Sequence, residues 1–248
     1  MNVVWELTAA RMKARYRRTL AGFFWVVLSP MITFGAQALI FSKVLKLDVS
    51  NYGLYLLGGI LPWIFISNSI EMGIPSLVGS RDLMMAYRIR PWVLVFSSII
   101  DNFINFLAGL VLLLVPAFFF YDFSPLGLML LPLALLQLMV GVTALVWLLS
   151  VLNVFFRDTR FVAHFGLSVL FFLTPVFYPR ELIPSAYQWL VDINPFFSLI
   201  EPVRACLYQF RFDSFAFTFL KGLFFTVGLI AISSLNWKRS QNEFYFNI

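Results

Sequence analysis

Arg11-Met12-Lys13-Ala14-Arg15-Tyr16-Arg17-Arg18 packs five cations into eight residues, and the stretch Gly22 to Phe41 that follows carries no charge at all. About 20 apolar residues of helix cross ~30 Å of hydrocarbon, and Lys and Arg gather on the cytoplasmic side of such spans. The junction reads as a basic collar on the inner end of a membrane helix. Further apolar stretches place spans at Gly22–Lys43, Tyr52–Val78, Trp92–Tyr121, Leu126–Val154, Phe161–Phe177 and Phe215–Leu235. The third and fourth exceed what a perpendicular helix needs, so they tilt or overrun the hydrocarbon. The fifth is close to the lower length limit. Twelve Lys and Arg fall on segments expected inside, within Arg11–Arg18, Arg81–Arg90, Arg157–Arg160 and Lys238–Arg239. Six fall outside: Lys43, Lys46, Arg180, Arg204, Arg211 and Lys221. The bias puts both termini in the cytoplasm.

Composition agrees. The 248 residues are 61% hydrophobic and 12% charged, with a mean hydropathy of +0.88, whereas soluble domains are about 45–50% apolar and about 25% charged. The net charge of +6 sits beside the spans, where it orients the chain and meets anionic headgroups, so nucleic acid is not an expected partner. A single cysteine, Cys206, excludes an internal disulfide and a multi-cysteine metal site, and a single histidine, His164, removes most zinc and nucleophilic schemes. No metal site is expected and no catalytic residue is assigned. The chain has no phosphate-binding G-x-x-x-x-G-K-[ST] loop, paired-histidine helix or G-x-S-x-G turn. Energy for any transport must come from another chain or from an ion gradient. Met1–Leu20 lacks the apolar run and small-residue cleavage site of a signal peptide.

The expected fold is all-α and integral to the membrane. Six transmembrane helices follow an N-terminal amphipathic helix (1–21), and 22–248 form one membrane domain. Trp5, Ala9, Met12, Tyr16 and Leu20 make one stripe of the first helix, and Arg11, Arg15 and Arg18 make another, as suits a helix lying in the interface. Between spans five and six, Tyr178–Asp213 is too broken by proline to span and too aromatic to be a solvated loop. Short re-entrant helices packed on protein at the outer face are expected there.

Two inner segments carry the remaining information. Gly79–Pro91 reads as a short helix with Ser80 at its N-cap, Asp82 in its first turn, Arg88 and Arg90 in its last, and Pro91 as its stop. Leu83, Met84 and Tyr87 either press into a groove on a cytoplasmic partner or belong to an ordinary interfacial turn. Arg157-Asp158-Thr159-Arg160 is either a tight hairpin tip or a second docking point. Glu71 and Asp101 lie in the inner halves of spans two and three. Such carboxylates serve proton coupling or lock helices through hydrogen bonds. Among the 30 phenylalanines, Phe34 and Phe41 share a face of span one, while Phe172 and Phe177 lie near the outer end of span five.

The order of these features resembles polysaccharide-exporting ABC permeases, most closely the O-antigen (Wzm-type) permeases, with teichoic-acid and capsule permeases as relatives. The resemblance rests on Arg15-Tyr16-Arg17-Arg18 followed by Leu20-Ala21-Gly22-Phe23-Phe24-Trp25-Val26-Val27-Leu28-Ser29-Pro30. It continues with the loop ending Arg90-Pro91, with Phe156-Arg157-Asp158, and with Thr174-Pro175-Val176-Phe177-Tyr178-Pro179 before Ile183-Pro184 and Asn194-Pro195. It implies a multi-pass homodimer in the bacterial inner membrane, docked on two copies of an ABC ATPase that carries the ATP and Mg, with no cofactor on this chain. It implies a lipid-diphosphate-linked glycan as substrate and a coupling helix at about 79–91, with Arg81, Asp82, Leu83, Met84, Tyr87 and Arg88 meeting the ATPase. Gate helices at about 181–208 would close the outer exit. Under that reading Arg11, Arg15 and Arg18 receive the lipid diphosphate, since Arg binds phosphate through paired, charge-assisted hydrogen bonds. Phe34, Phe41, Phe172 and Phe177 would line the channel. Glu71 has no counterpart in that pattern. A gradient-driven carrier using Glu71 or Asp101 and a membrane lipid-sugar enzyme are the competing classes. The enzyme is disfavoured because its inner acids, Glu6, Asp82, Asp158 and Glu243, are scattered.

Overall fold

The computed structural model describes residues 3–16, 32, 35–36, 39–40 and 49–248. Helix α1 (Val3–Tyr16) precedes α2 (Tyr52–Gly73), the short α3 (Arg81–Tyr87), α4 (Pro91–Ala117), α5 (Pro125–Phe155) and α6 (Thr159–Leu173). The short α7 (Gln188–Asp192), α8 (Pro195–Leu207) and α9 (Phe212–Asn247) complete the chain, and no strand occurs among the described residues. By length and composition, four helices among the described residues can cross a membrane: α2 with its 3-10 extension to Ser76, α4, α5 and α9. The expected fifth span is the 15-residue α6, about 22 Å long and shorter than a perpendicular crossing requires. The expected first span, Gly22–Lys43, lies largely outside the described residues, as do Phe34 and Phe41.

Proline and turn chemistry set several boundaries. Pro91 and Pro125 each open a helix at its first position, where the missing N–H costs nothing. Pro91 is therefore the start of α4 and not the stop of the preceding helix. That stop is Arg88, which takes a left-handed conformation (φ 51°) at the C-cap of α3. Ser80 occupies the N-cap position, but its side chain makes no capping bond. The last helix overruns its expected end at Leu235 by about three turns. No Gly or Pro interrupts Asn236–Asn247, and the Trp237 ring meets those of Trp147 (5.1 Å, tilted) and Phe244 (5.3 Å, edge to face), so tertiary packing carries the helix past the apolar stretch.

Helix α1 is docked on α4. Thr8 is fully buried, and its hydroxyl donates to Val4 O (2.8 Å) and lies 3.3 Å from Ser97 O. Val4, Leu7 and Arg11 flank it on the same partly buried face, whereas Trp5 is exposed. The protein-facing stripe is thus centred on Thr8, one step round from the stripe expected to meet lipid.

The core is a wedge. Helix α8 is buried along nearly its whole length, from Phe196 to Leu207, and packs against α2, α5 and α9. Each of these meets it through a glycine. A Cβ on Gly58 would sit 2.9 Å from Arg204 Cα, one on Gly127 would sit 2.5 Å from Cys206 O, and one on Gly222 would strike Ser198 O. Small residues let helix backbones approach this closely, as at other membrane helix interfaces. Asn194 begins α8 by accepting from the Phe196 (2.9 Å) and Phe197 (3.4 Å) amides. The re-entrant segment is therefore anchored in the bundle and is no loose surface flap.

Candidate functional site

At the end of the bundle where α2 begins, one buried arginine ties three elements together. Arg204 on α8 is 2% exposed. It pairs with Glu201 (2.9 Å), donates to the Tyr55 hydroxyl (3.0 Å) and sits over the Tyr55 ring at 4.3 Å. Its other terminal nitrogen donates to Pro175 O (2.8 Å) and Val176 O (3.1 Å). Tyr52 and Tyr55, one turn apart on α2, donate to Phe177 O (2.8 Å) and Tyr178 O (2.7 Å). Asn194 donates to the Thr174 hydroxyl (2.9 Å). Side chains thereby satisfy the carbonyls of Pro175–Tyr178, where α6 has ended and no regular ladder is present. Burial pushes the Glu201 carboxyl above the usual carboxylate range, with the Arg204 charge opposing that shift. Burial likewise pushes the Cys206 thiol up to about 12, so Cys206 is a packed residue and not a reactive one.

This lock was hidden in the sequence. Arg204 was counted among six outer charges, but it is a core residue. The visible signals were Glu201 and Arg204 at three-residue spacing inside an otherwise apolar, proline-framed segment, and the Gly58-Gly59 pair in span two.

At the opposite end, Phe156–Asp158 joins α5 to α6 as a tight connection, with the Thr159 hydroxyl donating to Phe156 O (2.7 Å). Next to it, His164 Nδ1 donates to the Glu71 carboxylate (3.1 Å), linking α6 to α2 beside Arg160. This contact is of the kind expected of a carboxylate that hydrogen-bonds between helices. Asp101 on α4 is fully buried.

Helix α3 stands between these spans as a ledge. Met84 is 2% exposed and belongs to the core, whereas Leu83 is 37% and Tyr87 76% exposed. Arg81, Asp82, Met85 and Arg88 are exposed as well. Met84 was expected to share the outward apolar face. Adjacent helical residues point in different directions, while residues four apart coincide, so Leu83 and Tyr87 face outward together and Met84 pins the helix to the body.

The remaining predicted positions are spread over the molecule. Arg11 is on α1, partly buried; Arg15 lies one turn further along the same helix, and Arg18 is outside the described residues. Phe172 is 68% exposed on α6, and Phe177 is 8% exposed within a ring cluster with Phe171, Phe172 and Tyr178.

The chain matches the family model described as ABC-2 type transporter over residues 2–208. It is 32% identical over 208 residues to the O-antigen export system permease protein RfbA of Myxococcus xanthus, covering 83% of this chain and 80% of that one. It is 24% identical over 240 residues to the protein of that name from Klebsiella pneumoniae, covering 94% and 91%. The resemblance read from the order of sequence landmarks therefore holds, and the competing membrane-enzyme reading falls away. With four helices among the described residues long and apolar enough to cross a membrane and a family match over most of its length, the chain belongs to the ABC-2 type transporter family, as a membrane permease subunit and not an enzyme.

Proposed function

We propose that this chain is the membrane half of an ATP-driven exporter that moves a lipid-diphosphate-linked, O-antigen-like polysaccharide across the bacterial inner membrane. The observation that carries this reading is α3, a ledge of exposed side chains held to the bundle by Met84. A helix fixed by one buried residue and offering Leu83, Tyr87, Arg81, Asp82 and Arg88 outward suits transmission of force from a soluble ATPase. The chain has no nucleotide-binding loop of its own. Family membership and relatives named for O-antigen export support the substrate class.

In this reading two copies assemble with two ATPase subunits, which hold ATP and Mg. Each copy contributes six spans, the first being Gly22–Lys43 and the fifth built on α6. Arg11, Arg15 and Arg18 meet the lipid diphosphate at the inner headgroup plane, and Phe34, Phe41, Phe172 and Phe177 line the path. The turns around Glu181 and Ser185, with α7, form the exposed part of the outer gate over the fixed α8. Deleting the chain is expected to strip long-chain glycan from the cell surface and leave the lipid-linked polymer inside. Surface glycan unchanged by the deletion would overturn the proposal.

A further inference from the structure

A cavity of about 690 Å³ opens on the outer face between the re-entrant segment and the start of α9. Its size is within the range of small-molecule sites. Its walls are unlike those of a lipid crevice. On one side Arg180 and Lys221 share Asp192, at 2.6 and 3.5 Å. On the other, Glu201 is held by Arg204 at 2.9 Å. Tyr55 and Tyr208 meet edge to face with centroids 5.4 Å apart, and Phe217 stands exposed on the rim. Gln209 donates to the Ser50 hydroxyl (2.7 Å), which lies 3.3 Å from the Tyr208 hydroxyl. The Nε atoms of Arg180 and Arg204 are buried without a hydrogen-bond partner among the described residues.

Charge decides the class of ligand. With Glu181 and Arg211 included, the lining holds four cations and three carboxylates. Most are already paired with one another, which leaves one net positive charge, too little to hold a polyanion such as a free diphosphate. An apolar lipid tail would leave these groups desolvated without compensation. A neutral sugar chain fits both demands. Its hydroxyls donate to carboxylates and accept from guanidinium N–H groups, and its C–H faces lie on aromatic rings.

We propose that this cavity is a saccharide-binding subsite at the outer exit, where a neutral, hydroxyl-rich segment of the exported polymer rests as it leaves the membrane. The inference rests on the export reading above. Paired charges and ring edges give many weak contacts, which suits a polymer that has to keep moving.

The test uses the full transporter in its host membrane. Phe217→p-benzoyl-phenylalanine keeps an aromatic ring on the rim, Gln209→p-benzoyl-phenylalanine probes the opposite rim, and the same replacement at exposed Phe246, on the cytoplasmic end of α9, is the control. After illumination, the purified chain is stained for periodate-oxidised vicinal diols of the cell's own glycan. Glycan adducts at 217 or 209, several-fold above those at 246 and reduced several-fold by Asp192→Asn, are the expected result. Phospholipid adducts alone at both rim positions, or no adduct at either while surface glycan still depends on this chain, would overturn the subsite and leave the export reading standing. Surface glycan independent of this chain would remove both.

Discussion

Arg204 is a full charge inside an apolar bundle, and such a group persists only when every neighbour is arranged around it. Gly58 is part of that arrangement, because a Cβ there would sit only 2.9 Å from Arg204 Cα. Gly58→Ala is expected to lower stability by about 1–3 kcal/mol through overpacking. Gly228→Ala, whose added Cβ meets nothing within 4 Å, is expected to be neutral or to gain up to about 1 kcal/mol from lower chain entropy. Thermal unfolding in detergent separates the two. Glu201 gives a pH signature. Its folded-state carboxyl titrates above the ordinary range because burial penalises the charge. The native state therefore takes up a proton before the unfolded chain does, and this group adds stability as pH falls through its raised value. As pH falls from neutral toward the ordinary carboxylate range, the midpoint of wild-type protein is expected to rise relative to that of Glu201→Gln. Parallel curves would show that Glu201 is not held above its ordinary value.

Helices differ in how plainly the chain announces them. The ends of α4 and α5 fall within a few residues of expectation because prolines, charges and a change of hydropathy coincide there. Helix α8 was legible only as an interrupted aromatic segment, since a helix framed by Pro195 and Pro202 that buries Arg204 satisfies neither the span pattern nor the amphipathic one. The overrun of α9 was invisible because Trp237 and Phe244 are fixed by ring contacts that hydropathy does not register. For α3, the apolar set was visible, but the residue facing inward was not, since Leu83, Met84 and Met85 are consecutive. That distinction bears on coupling. Tyr87→Ala removes an exposed anchor and leaves Met84 in place, so insertion and folding should persist. Loss of such an anchor commonly costs about 2 kcal/mol of binding, and ATPase stimulation by the permease should fall accordingly. Met84→Ala should instead lower stability by about 2–5 kcal/mol. Equal thermal stability of the two variants would contradict the inward placement of Met84.

At the scale of the whole molecule, the unfinished element is α6. It buries only Leu167, while Phe161, Phe165, Val169 and Phe172 stand exposed at steps of three and four along one face. Lipid accepts such a face, but the proposed export of a hydrophilic polymer would need a closed path shared between two copies. In the proposed dimer, a second copy related by a two-fold axis would meet the first through the same patch on each. Two short helices facing each other there would bound a shared channel. In a Cys206→Ser background, Phe165→Cys is therefore expected to form an oxidant-dependent disulfide dimer in native membranes. Phe224→Cys, on the exposed side of α9, is expected to stay monomeric under the same oxidation. Efficient cross-linking requires the two Cα atoms to come within about 7 Å, which makes the readout a distance measurement across the axis. If position 224 cross-links and 165 does not, the dimer axis runs along α9, and the phenylalanines of α6 face lipid instead of glycan.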